Sequence, residues 1–577
     1  NSKAVDIKNV RVTDDFWLPI IKRVQEKTID YAIAKCEEEG RLDNFLIAGG
    51  AMEGETRGEM PFDDTDVYKI IEGASCSLIS APNKELETVL DSLISIVKTG
   101  QEHDGYLTTW RTINPAKPPA WWVEVKEGKR WESLAASHEL YNAGHLYEAV
   151  AVHYKATGKI KLLDIAIKFA NLIVDETGPD PKLEIVTDHP LSEEAFLGLY
   201  EFLLENDDIV KKLKVQPRID DYLNIVKYWI DYRGRFRKGD NIGAYWSDAI
   251  PVAESKEISG HAVMAALLYL GVTKLYNVTK DKIYLKIAKR VWNNTVNKKL
   301  YIHGGIGCGG GELGEGFGPD YELPSDGYME SCGGVALGFW HHEMFLATGH
   351  GSYIDELDRV IYNVALGAIS QDGRKFYYSN KLNSEGFDRW DWHICPCCPP
   401  MLMKFFGYLP ELIYAADEKN LFVNLFISSE ADLNIDQNKI SIQQTCNYPW
   451  DGNIEIIINS NIEKTFNINL RIPKWASGKN QKSGLYHFNN ISVGHWKILL
   501  NDKQIKTKCH NGYVTIKRTW KIGDKIQLSL PLDILQIEPN SDYVAIGIRN
   551  SFGLTVDPIT GNLWMTENGP DNYDEIN

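Results

Sequence analysis

Three cysteines stand within four positions in "HICPCCPP" (residues 393–400): Cys395, Cys397 and Cys398. A fourth thiol, Cys332, follows Glu330 at i, i+2 in a second segment, "GGIGCGGGELGEGFGPDYELPSDGYMESCGG" (304–334), rich in glycine and acid. Three or four thiolates and a carboxylate from two segments form a donor set for tetrahedral Zn²⁺, because soft sulfur favours zinc and a bound thiol is deprotonated outright. Glu330 and Cys332 would not share a helix face, so they converge where a loop enters a helix. Adjacent Cys397 and Cys398 cannot point the same way along a strand, which implies a tight turn stiffened by Pro399-Pro400. Three readings stay open at this point: a closed structural zinc stapling two loops, a reactive thiol, and plain packing. So long a glycine-rich loop in a compact domain is often functional. It is no phosphate loop, since no Lys-Ser/Thr follows and its charge is acidic.

These residues need a large scaffold. A chain of 577 residues exceeds one compact core and divides into two or more domains. Its 44% apolar and 24% charged composition is globular, and its net charge of −17 argues against nucleic acid or an anionic membrane as partner. No apolar run of about 18 residues, enough to span a membrane, is expected. Sixteen Trp and 28 Tyr suit sugar faces and a large core equally. Cys36, Cys76, Cys446 and Cys509 stand singly, as small buried hydrophobes do, and the odd count of nine argues against a disulfide framework. The start "NSKAVDIKNV" has no initiator Met, and no signal peptide is visible in it.

Residues 5–13 alternate like a strand, and "DDFW" leads into a helix. From about 16 to 415 apolar residues recur at three- and four-residue spacing, as in "AVMAALLYLGVTKLY" and "GGVALGFWHHEMFLA". Three stretches share a pattern of helix end, Thr-containing turn and second helix, with Thr157, Thr279 and Thr348 separated by 122 and 69 residues. Repeated helical hairpins of that length predict an (α/α)6 barrel with loops at one rim free for a site. After about 416 the chain changes to short β-rich runs such as "NLFVNLFIS", "NIEIIINS" and "KIQLSLPL", an antiparallel β-sandwich. The expected division is a mainly α (α/α)6-barrel catalytic domain with a short N-terminal strand at 1–415, a β-sandwich at 416–537, and a separate tail at 538–577.

"GEGFGPDYELPSDGYMESC" and "CPCCPP" resemble the signature segments of glycoside hydrolase family 127, the β-L-arabinofuranosidase family. "DNFLIAGG", "SHELYNAGHLYEA", "DHPLSEEAFLGLYE", "SGHAVMAALLYL" and "LRIPKWA" agree with it in order, over about residues 5–535. The resemblance implies an (α/α)6 barrel with β-sandwich material, a zinc ion held by one Glu and three Cys, and a cysteine nucleophile with a glutamate acid/base. Carried over by position, the zinc ligands are Glu330, Cys332, Cys397 and Cys398. Cys397 is also the nucleophile, and Glu315 is the acid/base. Sugar contacts fall on His138 or His145, His189, His261 and Tyr378. Without the resemblance each histidine reads as a structural residue at a helix end, and Glu312, Asp320 and Glu322 rival Glu315.

Three departures from the family pattern stand out. Met401 replaces a polar Asn, Cys308 and Cys395 are extra thiols, and the span from Glu315 to Glu330 is one residue shorter. The implied partner is a carbohydrate, a plant-type furanoside glycan, with no nucleic acid and no membrane, and a homodimer is an open assembly. The alternatives are another furanoside, such as a branched acidic pectic sugar, and a zinc-stapled binding protein without catalysis. A glycan substrate and the missing Met favour the periplasm or secretion, while zinc-bound reduced thiols also suit the cytoplasm. The end, "YVAIGIRNSFGLTVDPITGNLWMTENGPDNYDEIN", resembles one blade of the pyrroloquinoline-quinone glucose/sorbosone dehydrogenases. One blade cannot close a propeller, so a fused fragment without dehydrogenase activity is expected.

Overall fold

The computed structural model describes residues 2–237, 242–309, 314–382, 388–435, 438–460, 465–477, 484–488 and 494–540, and the backbone of 551–556, 563–568 and 574–576. Among the described residues six helices form a closed inner ring, each packed on the next: Asp64–Ser80, Glu139–Thr157, Ser192–Glu205, Ala262–Thr279, Ser331–Thr348 and Cys398–Ile413, which returns to Asp64–Ser80. Lys84–Thr99, Lys161–Glu176, Ile219–Tyr232, Lys282–Lys298 and Gly351–Arg359 each pack outside the inner helix that precedes them. Ile29–Glu38 closes the outer layer beside the first and last inner helices. This is an (α/α)6 barrel.

Burial separates the two layers. Outer Lys84–Thr99 buries Leu86, Leu90, Leu93, Ile94 and Val97, one helical stripe. Inner Ser331–Thr348 is buried almost all round, and a Cβ on its Gly334 would lie 2.3 Å from Val364 Cγ1, so the glycine permits the close seat of the two segments. The threonine repeat has a physical cause. Thr157, Thr279 and Thr348 each end an inner helix and donate their hydroxyls to the carbonyls of His153, Leu275 and Met344 at 2.8, 2.7 and 2.8 Å. The residue that follows each (Gly158, Lys280 or Gly349) has φ of +71°, +61° or +67°, the left-handed cap that turns the chain into its outer helix. One sequence expectation needs correction. Ala262–Thr279 is long and apolar enough to cross a membrane, but here it is an inner barrel helix buried from Ala262 to Leu275 apart from half-buried Lys274.

The C-terminal strands form a six-stranded and a seven-stranded sheet. All named pairs in them are antiparallel except Asn420–Val423 with Thr465–Arg471. N-terminal Lys3–Ala4 pairs with Tyr414–Ala416, and Val10–Val12 pairs with Ser429–Ile435, so the first residues complete an edge of each sheet. Buried Arg471 joins the sandwich to the barrel through Asp355 and Asp358, both at 3.0 Å. No disulfide forms among the described cysteines, and Cys509 is exposed where a buried position was expected. Among the described residues the tail strands Ser551–Val556, Leu563–Asn568 and Asp574–Ile576 pair with one another.

Candidate active site

Two neighbouring inner helices begin at the cysteines. Glu330 is the cap residue of Ser331–Thr348, and its extended backbone (φ −57°, ψ 135°) lets it converge with Cys332 in the first turn. Cys397 caps Cys398–Ile413. Instead of the tight turn expected for Cys397-Cys398, the chain starts a helix there, and Pro399-Pro400 occupy its first turn, where missing N–H groups cost nothing. Cys332 Sγ lies 3.4 Å from Cys397 Sγ and 3.3 Å from Cys398 Sγ, and Cys397 lies 3.8 Å from Cys398. Glu330 Oε1 is 3.3 Å from Cys397 Sγ and 3.8 Å from Cys398 Sγ. Disulfide sulfurs sit about 2.05 Å apart, so these are not bonded pairs.

The spacing matches a metal shell. Ligands about 2.0–2.3 Å from a central ion at tetrahedral angles stand roughly 3.3–3.8 Å from one another. The four side chains are buried, and their ligand atoms lie within 4.8 Å of one another. Burial pushes all three thiols well above their usual range, so without a cation they are neutral. Two helix N-termini and the fully buried Lys69 supply positive potential nearby. Burial works against the Lys69 charge, but its pKa is raised, with the Asp66 carboxylate at 3.4 Å first among the groups that favour the cation.

Glu315 is set by a different route. Its loop is stitched to the start of Ala262–Thr279 by Ala262 N–H to the Glu315 carbonyl (3.1 Å) and Phe317 N–H to the Gly260 carbonyl (2.9 Å). The carboxylate accepts from His261 Nε2 at 2.7 Å, Tyr328 Oη at 2.6 Å, Tyr245 Oη at 3.4 Å and Tyr378 Oη at 3.5 Å. Burial favours the neutral acid, but His261 and the tyrosine hydroxyls outweigh it and hold Glu315 down to about 2. His261 caps its own helix, Nδ1 accepting from Val263 N–H at 3.1 Å. Nε2 therefore carries the proton and donates to Glu315. His261, Glu315 and Glu330 also bring ligand atoms within 4.8 Å, but that tautomer leaves His261 no lone pair toward a metal.

One cavity of about 1250 Å³ receives Glu315, Glu330, Cys332, Cys397 and all four expected histidines along with Tyr378. His138 donates Nδ1–H to the Ala136 carbonyl at 2.9 Å, and burial lowers its pKa to about 4. His189 is likewise held neutral, first by burial and then by its histidine neighbours. His145 approaches Glu148 at 2.9 Å, off the line a hydrogen bond needs, and burial keeps it neutral. Tyr141, absent from the sequence reading, is the hub of this wall, with its ring 4.2 Å from His189, 4.7 Å from His145 and 5.8 Å from His138.

The rival acids separate. Asp320 is tied to Lys298 at 2.8 Å and Asn294 at 3.1 Å, neither it nor Glu322 lines the cavity, and Glu312 lies outside the described residues. Met401 lines the cavity one turn along from Cys397. Cys395 lines it too, 3.7 Å from Tyr378 Oη and outside the ligand quartet, whereas Cys308 packs beneath Gly318. Sequence reasoning missed Tyr328, Tyr245 and His393, whose ring stacks on Tyr378 at 4.4 Å. Tyr328 left a trace two residues before Glu330, and His393 left one at the head of the cysteine motif.

Comparison with known proteins agrees with this arrangement. The family described as β-L-arabinofuranosidase, GH127 catalytic domain, matches residues 9–411, and the GH127 middle domain matches 420–532. The glucose/sorbosone dehydrogenase family matches 536–577. The non-reducing end β-L-arabinofuranosidase of Bifidobacterium longum subsp. longum is 28% identical over 91% of this chain and 82% of its own. A solved GH127 β-arabinofuranosidase structure is 36% identical, covers 94% of this chain and 82% of its own, and superposes with a TM-score of 0.86. The GH127 β-L-arabinofuranosidase of Geobacillus stearothermophilus T6 is 30% identical over 93% of this chain and 83% of its own, with a TM-score of 0.80.

Proposed function

The chain belongs to the β-L-arabinofuranosidase family GH127 and is a glycoside hydrolase, and on that premise we propose that it releases β-L-arabinofuranose from the ends of plant-type glycans with retention of configuration. The observation that carries this reading is the shared cavity of Cys397 and Glu315, where a sulfur held by Glu330, Cys332 and Cys398 meets a carboxylate held by four donors. Glu330, Cys332, Cys397 and Cys398 would hold zinc, whose charge, when bound, keeps the buried sulfurs as thiolates.

Cys397 Sγ forms a bond to the anomeric carbon as the glycosidic C–O bond breaks, and Glu315 protonates the departing oxygen. Glu315 then takes a proton from water, the water oxygen bonds to the anomeric carbon, and the C–S bond breaks to return Cys397. Two displacements at one carbon retain its configuration. The ionised Glu315 of this structure is ready for the second step. For the first, a glycosidic oxygen that displaces the long Tyr245 and Tyr378 contacts removes part of what holds the proton off. His261 orients Glu315, while His138, His189 and Tyr378 meet sugar hydroxyls and His145 backs the wall.

Lys126 and Lys381 line the same cavity and favour a second reading, an acidic neighbouring sugar of the pectic type. We divide the chain into a barrel to about 415, a sandwich to about 537 and a tail from 538 that resembles a dehydrogenase blade. The test is the first-formed anomer from a β-L-arabinofuranoside followed by proton NMR. The β anomer is expected, and the α anomer overturns the nucleophile assignment.

A further inference from the structure

Glu330, Cys332, Cys397 and Cys398 offer four negative donors, so around a divalent ion two negative charges stay uncompensated. All four side chains are buried, and a buried charge is costly unless it has a partner. The thiolates therefore need a cation that water does not screen.

Lys69 is placed to be that cation. It lies on Asp64–Ser80, the inner helix beside Cys398–Ile413. A Cβ on Gly73 would lie 3.1 Å from Met403 Cβ, and one on Gly407 would lie 2.7 Å from Cys76 Cβ. The two helices thus run side by side, residue 73 level with 403 and 76 with 407. One turn earlier, Lys69 stands level with Pro399, next to Cys398 and Cys397. Its side chain is 0% exposed, and its Nζ sits 5.9 Å over the ring of Tyr141, which lines the cavity. Asp66 holds the ammonium at 3.4 Å, and Arg41 meets that same carboxylate at 3.5 Å. Lys69 itself does not line the cavity, so it reaches the sugar only through the cluster. Asp66, and then Cys397 and Cys332 once ionised, are the groups that favour its charge.

We infer that Lys69 is the counter-cation of the cluster, strengthening its hold on zinc and drawing Cys397 back as a thiolate when the sugar leaves it. The inference rests on the reading above. In the first displacement a sulfur electron pair enters the C–S bond, and the C–O pair leaves with the oxygen that takes the Glu315 proton. The cluster gives up one negative charge. In the second, the C–S pair returns to sulfur while water bonds to the carbon and hands a proton to Glu315, and the charge comes back. A fixed cation favours the more negative state, so it opposes the first step and drives the second.

The test measures zinc affinity by competition with a chromophoric chelator in wild type, Lys69→Met and Lys69→Gln. The Gln amide still donates to Asp66, which keeps a neutral variant in hand where the methionine one does not fold. Affinity falls about tenfold or more in the neutral variants, and an unchanged affinity overturns the inference. With zinc in excess, p-nitrophenyl β-L-arabinofuranoside has so good a leaving group that kcat reads the second displacement. There kcat and KM fall together by about tenfold while kcat/KM does not fall. The pentosyl adduct on Cys397 accumulates in intact-protein mass spectrometry. A kcat/KM that falls with kcat marks a structural lysine and overturns the inference. Zinc binding that weakens in the variants of a protein without turnover upholds the counter-cation and sinks only the glycosidase reading. A wild type that takes up no zinc overturns both.

Discussion

Replacing Tyr328 by Phe removes the shortest hydrogen bond to the Glu315 carboxylate, 2.6 Å, and leaves the ring in place. A hydrogen bond to a charged group contributes about 1.5–3 kcal/mol, and about 1.36 kcal/mol is one pH unit, so the carboxyl pKa rises by about 1–2 units. The sign is fixed by which form the hydroxyl favours. Tyr328 donates to the anion, so without it Glu315 keeps its proton to higher pH. In kcat, which reads the enzyme–substrate complex, the proton on the acid controls the basic limb, which therefore moves upward. The assay is kcat for methyl β-L-arabinofuranoside, whose alkoxide leaving group needs that proton, from about pH 4 to 9 in wild type, Tyr328→Phe and Tyr245→Phe. Tyr245 sits at 3.4 Å, so its removal moves the limb less. A basic limb that stays, falls, or moves more for Tyr245 than for Tyr328 refutes the assignment of Glu315.

Glu315→Gln lowers kcat/KM on a disaccharide about 10²–10⁴-fold while the fold, read by circular dichroism, is unchanged. Cys332→Ala leaves two sulfurs and a carboxylate, so zinc per chain, measured by mass spectrometry of the metal, falls well below that of wild type after dialysis against a mild chelator. Arg471→Ala strands Asp355 and Asp358 at the barrel–sandwich joint and destabilises the protein by about 3–5 kcal/mol in denaturant titration. A loss under 1 kcal/mol would show that the two parts are not joined through this pair.

Local signals carried much of this architecture into the sequence. The threonine turns were legible because each combines a hydroxyl that bonds its own helix with a left-handed cap, and both are properties of neighbouring residues. Glu330, Cys332, Cys397 and Cys398 were named together through the family resemblance, because sulfur density alone suits a zinc site, a reactive thiol or packing, and the fold brings the four side chains into one cluster. The helix start at Cys397 was misread as a turn because two adjacent side chains and two prolines suit either, and only packing against Ser331–Thr348 decides. Tyr245, Tyr328 and Tyr378 meet at one carboxylate from distant parts of the chain; Tyr378 was named through the resemblance alone, and in a sequence with 28 tyrosines nothing local marks Tyr245. The first strands likewise reach edges formed some 400 residues later in the chain, pairings no local window contains.

The most direct test of the account is hydrolysis of p-nitrophenyl β-L-arabinofuranoside by wild type and by Cys397→Ser, each with its zinc content known. The account predicts turnover in wild type and a loss on the order of 10³-fold or more in Cys397→Ser, as for other nucleophile removals. Turnover in Cys397→Ser near that of wild type would make Cys397 a metal ligand alone and contradict the cysteine nucleophile.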